Sequence, residues 1–77
     1  MDPSKRLLKR FGLVVRRHRD RLGIPQDELA HRARLHRTYI SLVERGQRNP
    51  TLEVIHALAR ALETTMAELI SELERGG

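Results

Sequence analysis

The chain contains no cysteine and no tryptophan, and only one phenylalanine and one tyrosine. Each shortage removes an option. Without thiols, neither disulfides nor thiolate-bound metals can brace the 77 residues, so stability must come from packing, helix caps and association. Two aromatics leave little to stack on unpaired bases, which argues against RNA as the ligand. No apolar run approaches the roughly 18 residues that a membrane span needs. The basic start of the chain also lacks the apolar core and cleavage site of a signal peptide, so a cytoplasmic protein is expected. There is no glycine-rich phosphate loop, and His18, His31, His36 and His56 show no metal-ligand spacing. An enzyme is therefore not expected, nor a metal, a cofactor or a small-molecule ligand. A chain this short buries only about 60% of its unfolded surface, enough for one small core and a single domain over residues 1–77.

What the chain has in excess is positive charge, unevenly placed. Residues 1–48 carry 13 Lys/Arg against 5 Asp/Glu, while residues 49–77 carry 2 against 5, so a net charge of +5 divides into +8 and −3. A basic lobe beside an acidic one suits a polyanion on one side only, nucleic acid or an anionic membrane surface. The apolar face of the first helix is needed by the core, which leaves none for a membrane.

No segment alternates like a strand, and Gly23-Ile24-Pro25, Gly46 through Pro50 and Thr64-Thr65 divide the chain into five helical segments. The first, about Ser4 to Leu22, gathers Leu7, Leu8, Phe11, Val14, Val15 and Leu22 in one arc, with Arg6, Arg10, Arg17 and Arg21 along its edge. His18 falls inside the arc, where a core histidine bonded to backbone is expected. Gln26 to Ala33 follows, with Asp27 and Glu28 in its favoured acidic first turn. The third segment, about Arg37 to Arg45, ends at Gly46 as a left-handed cap. Thr51 caps a fourth, Leu52 to about Leu62, whose inward face is read as Leu52, Ile55, Leu58, Ala59 and Leu62. The last opens on the capping box Thr65-Met66-Ala67-Glu68 and presents Met66, Leu69, Ile70 and Leu73.

Segments two and three are too short to be stable alone. Counting Gln26 as the first position of a helix-turn-helix unit, Leu29 and Ala30 fall at four and five, Leu35 at ten, Ile40 at fifteen and Val43 at eighteen. Those are the slots that bury the pair and fix its angle. From about Phe11 to Leu69 the chain resembles the lambda-repressor-like (Xre-type) helix-turn-helix regulators. Arg37-Thr38-Tyr39-Ile40-Ser41, Glu44-Arg45 and Arg48-Asn49 look most like the controller proteins of restriction-modification systems. The resemblance implies an all-α, compact five-helix domain with a core of about residues 11–70. Two positions depart from the family pattern. Arg34 stands where the turn usually has glycine, at a cost of about 1 kcal/mol for a left-handed conformation. Pro25 stands where a capping serine is common, leaving Gln26 to bond backbone or phosphate itself.

The resemblance also implies roles. The third helix enters the major groove, so Arg37, Thr38 and Ser41, with Tyr39 and Leu42, are the expected base readers. Gln26, His36, Arg45, Arg48 and Asn49 are the expected phosphate contacts, with Arg34 and the arginines of the first helix adding weaker attraction. Glu44 sits on the inward side of its helix and is expected to pair with Arg19. A homodimer on palindromic half-sites of double-stranded DNA is expected, with Ile70, Leu73 and Met66 as the dimer patch and Ile70 and Leu73 partly at the interface. The setting is a bacterial or phage cytoplasm, at the nucleoid, with RNA polymerase as a further partner. The competing reading is an antitoxin or protein-bridging module that uses the same domain to hold a protein.

Overall fold

The computed structural model describes residues 3–76. Over them the chain forms five helices: α1 (Pro3–Leu22), α2 (Gln26–Ala33), α3 (Arg37–Glu44), α4 (Leu52–Ala61) and α5 (Met66–Glu74). No strand occurs among the described residues. α1 is the spine, packed against α3 on one side and α5 on the other. α2 bridges α3 and α4, and α4 also meets α5.

The core lies where these helices converge. Val14 and Val15 from α1, Leu29 from α2, Ile40 and Val43 from α3, Leu58 from α4 and Leu69 from α5 are fully enclosed. Each comes from an arc of apolar residues spaced three or four apart, the pattern that turns one helix face inward. The arc on α1 loosens toward its start, where Leu7 is 48% exposed.

Four chain reversals share one device. Gly23, Arg34, Gly46 and Glu63 each hold a positive φ, at 68°, 58°, 73° and 60°. The residue after each returns a bond to the carbonyl five residues back: Ile24 to Arg19, Leu35 to Ala30, Gln47 to Leu42 and Thr64 to Ala59. This satisfies carbonyls that the helix end leaves open. Arg34 adopts the strained conformation expected of it, and Glu63 is a second such residue. At the helix starts, Thr51 Oγ1 accepts from the Val54 N–H at 3.2 Å and Thr65 Oγ1 from the Glu68 N–H at 3.0 Å.

Several expectations need correction. Leu52 does not face inward but is 74% exposed. The buried side of α4 is centred nearer Leu58 and Ala61 than the apolar spacing indicates, which leaves the first residue of the helix at the edge. Leu73 is enclosed in the core at 8% exposure, so of the three residues of the expected dimer patch only Ile70, at 36%, is open to solvent; Met66 is partly covered. His18 is in the core, but its partner is a side chain, the carboxylate of Glu72 on α5. Arg21 reaches the other oxygen of Glu72 at 3.6 Å, and Arg10 donates to the carbonyl of Leu73. Two of the four arginines along α1 thus fasten α5.

Gly12 marks the crossing of α1 and α3. A Cβ there would lie 2.5 Å from the Val43 carbonyl oxygen and closer still to that of Glu44. Only glycine lets the two backbones meet at that distance.

Candidate nucleic-acid interface

α3 has two unlike sides. Ile40 and Val43 insert into the core, while Arg37 and Thr38 are exposed and Ser41 and Leu42 partly so. Ser41 lies four positions from Arg37 and three from Thr38, so it shares a face with each of them. The first turn carries no acid. Tyr39 stands apart from this group, because it packs partly against the core.

The C-terminal end of α3 is held by Glu44. Arg19 Nε donates to Glu44 Oε2 at 2.7 Å, and Arg19 Nη2 donates to Oε1 at 3.0 Å. The two side chains are only 12% and 5% exposed, so this fork operates at low dielectric, where charge-assisted bonds are strong. Arg19 Nη1 also donates to the carbonyl of Ile24 at 3.0 Å. One guanidinium thus ties the end of α1, the turn into α2 and the end of α3. The bond to Glu44 is the main reason the Arg19 pKa is raised, ahead of the opposing effect of burial.

Gln26 completes this cluster. Its Nε2 donates to Glu44 Oε1 at 3.0 Å. The side chain expected to bond backbone or phosphate is therefore spent, in part, on the clamp. Pro25 supplies no cap, and neither does the side chain of His36 at the start of α3. The ring of His36, expected as a phosphate contact, is exposed beside Arg37.

Beyond α3 the chain runs without regular structure to Thr51, and Arg45, Arg48 and Asn49 are all exposed. Arg45 and Arg48 reach only backbone carbonyls, of Ser41 and Gln47, each at 3.4 Å. Among the described residues neither they nor Arg37 has a carboxylate partner. Arg16, Arg19, Arg21, Arg32 and Arg75 do. The sequence reading missed Gly12 and the His18–Glu72 pair. A glycine inside an otherwise strong helix was a usable signal for the first.

The helix-turn-helix family model matches residues 15–69. The chain belongs to the helix-turn-helix family. This helix-turn-helix chain is 44% identical to control protein C.SmaI of Serratia marcescens over 57 residues, 74% of this chain and 68% of that protein. It is 41% identical to control protein C.BamHI of Bacillus amyloliquefaciens over 71 residues, 91% of this chain and 85% of that one. Among solved structures it is similar to the restriction-modification controller protein C.AhdI of Aeromonas hydrophila. The TM-score is 0.79 at 44% identity, covering 80% of this chain and 94% of that one. The five-helix arrangement is the lambda-repressor-like fold expected from the sequence. None of the described helices is long and apolar enough to cross a membrane.

Proposed function

We propose that this helix-turn-helix chain is a sequence-specific DNA-binding transcriptional regulator, the controller protein of a restriction-modification system, acting as a homodimer on palindromic half-sites. The observation that carries this reading is the construction of α3. Its inner side is anchored by Ile40 and Val43 and its end by the Arg19–Glu44 fork, while its acid-free first turn points Arg37 and Thr38 into solvent. A helix that only supported the core would not be fixed so firmly with so much of its polar surface uncovered.

In this reading α3 lies in the major groove with its first turn against the bases. Arg37 takes the O6 and N7 acceptors of guanine, and Thr38 and Ser41 bond base edges or phosphate. Leu42 presses on a thymine methyl, and Tyr39 touches the edge of the same surface. Gln26, His36, Arg45, Arg48 and Asn49 hold the backbone, which positions the helix without choosing sequence. The relatives named control proteins support the controller role. In that role the chain acts at the nucleoid, in a bacterial or phage cytoplasm, with RNA polymerase as a further partner.

One unit offers few contacts, and two on half-sites about one helical turn apart offer twice as many. Support for a second copy comes from an apolar cleft of about 180 Å³ bordered by Leu7, Ile55 and Ile70, with Leu73 at its floor. Selection of bound duplexes from random DNA tests the function. A recovered palindrome supports it, and binding without sequence preference alongside a co-purifying protein would replace it with the antitoxin reading.

A further inference from the structure

Arg45, Arg48 and Asn49 form one wall of an open groove of about 490 Å³ whose other wall is the start of α1, with Lys5, Leu8 and Lys9. The two walls are locked together. Gly46 has φ +73°, and a Cβ on it would lie 2.8 Å from the Cα and the backbone nitrogen of Lys9. The loop backbone therefore rests directly on α1 at that residue, and Lys9 holds a fixed place relative to α3.

No acid lines this groove. Lys5, Lys9, Arg45 and Arg48 have no carboxylate partner among the described residues, and the arginines reach only the two carbonyls named above. Four like charges around one groove repel one another, and a polyanion is what turns that repulsion into binding. Lysine suits such a ligand as a compact, strongly hydrated charge on a flexible stem, able to follow a phosphate but not to read a base. These are not the helix-one cations marked by the sequence pattern, because Arg10 and Arg21 are turned toward α5.

We infer that Lys5 and Lys9 join Arg45 and Arg48 in a site for the phosphates of duplex DNA flanking the half-site that α3 reads. The inference rests on the DNA-reading role proposed above and extends it: the start of α1 lengthens the footprint on the loop side and adds affinity without adding choice of sequence.

The test is the double variant Lys5→Gln/Lys9→Gln in the full chain. Binding is measured across salt concentrations on the selected operator with long flanks, on random DNA of equal length, and on an operator trimmed to its outermost read base pairs. Two lost phosphate contacts lower the slope of log affinity against log salt by about 1.8, so the advantage of the wild type shrinks about tenfold between 50 and 200 mM salt. The same factor is expected on random DNA of that length, and the two proteins should bind the trimmed operator alike. Unchanged affinity and slope on the long operator, with Arg48→Ala still weakened there, would overturn the lysine site and leave the reading of α3 intact. An equal loss on long and trimmed operators would overturn the flanking position. A double variant that sediments as a monomer where the wild type is a dimer would give the groove to a second copy instead. Failure of the wild type to bind any duplex would overturn both proposals.

Discussion

Arg19 and Glu44, at the ends of two different helices, meet in a two-pronged ion pair of 2.7 and 3.0 Å, with Gln26 as a third member at 3.0 Å. The pair fixes the end of α3 opposite the turn that carries Arg37. An ion pair so nearly enclosed offsets its own desolvation only when its geometry is good, and two aligned bonds meet that condition.

Removing one partner should therefore be costly. Glu44→Ala leaves the Arg19 guanidinium enclosed without its carboxylate, and a loss of about 3 to 5 kcal/mol is expected in chemical denaturation. Replacing both residues with apolar ones of similar size, Arg19→Met with Glu44→Leu, should cost less than Glu44→Ala alone. If Glu44→Ala melts with the wild type, the clamp contributes nothing and another account of the fixed helix is needed.

The reading and gripping roles separate under mutation. Arg37→Ala should weaken binding to the selected operator by about 1 to 3 kcal/mol and leave binding to random DNA nearly unchanged. Arg48→Ala should weaken both by a similar factor and reduce the salt slope by about 1. Affinity titrations on the two DNAs decide the matter, and equal losses for Arg37→Ala would remove it from the readers.

Gly12 gives a prediction whose sign opposes helix propensity. In an exposed helix, glycine to alanine gains up to about 1 kcal/mol. Here the added methyl would meet the carbonyls of Val43 and Glu44, and neither backbone can yield cheaply, so overpacking of about 1 to 3 kcal/mol should outweigh the gain. Gly12→Ala should melt lower than the wild type and bind DNA more weakly, because the shift falls on α3. A higher melting temperature would mean that the helices separate without loss.

These cases show where a sequence speaks and where it does not. Periodicity and end signals act within a few residues, so the five helices and the Thr51 and Thr65 caps are legible in the chain, whereas the left-handed Arg34 is expected only through the resemblance to a family that has glycine at that turn. Leu52 shows the limit of periodicity: it belongs to an apolar arc by spacing, yet the direction of burial is set by what α4 packs against. Glu72 shows another. Among the charged residues of α5 it reads as one more solvated acid, and only the packing of α5 on α1 brings it to His18, 54 positions earlier. The exposed face of α3 is legible as a list of polar residues, whereas the use of Gln26 by Glu44 depends on three chain segments meeting.

The His18–Glu72 contact makes the junction of α1 and α5 sensitive to acid, in a direction that follows from its surroundings. Burial alone would push the Glu72 carboxyl up, but the bond from His18 and the charges of His18, Arg21 and Arg75 outweigh it and hold the carboxyl below the ordinary glutamate value. A folded-state pKa lower than the unfolded one means that the unfolded chain binds more protons through that interval, so stability rises with pH there. The contribution of Glu72 is complete above the ordinary value of about 4.3 and is lost as the pH falls through the lower folded value. Glu72→Gln removes the titrating group while keeping its shape. The difference in melting temperature between wild type and variant should be largest near neutrality and shrink as the pH falls below the ordinary glutamate value. Other carboxylates, Glu44 among them, titrate in both proteins and drop out of that difference. A difference that stayed constant over the interval would show that Glu72 is not held ionised by its neighbours. Because α5 carries Ile70, the same comparison by sedimentation at each pH would also show whether loosening this junction releases the second copy.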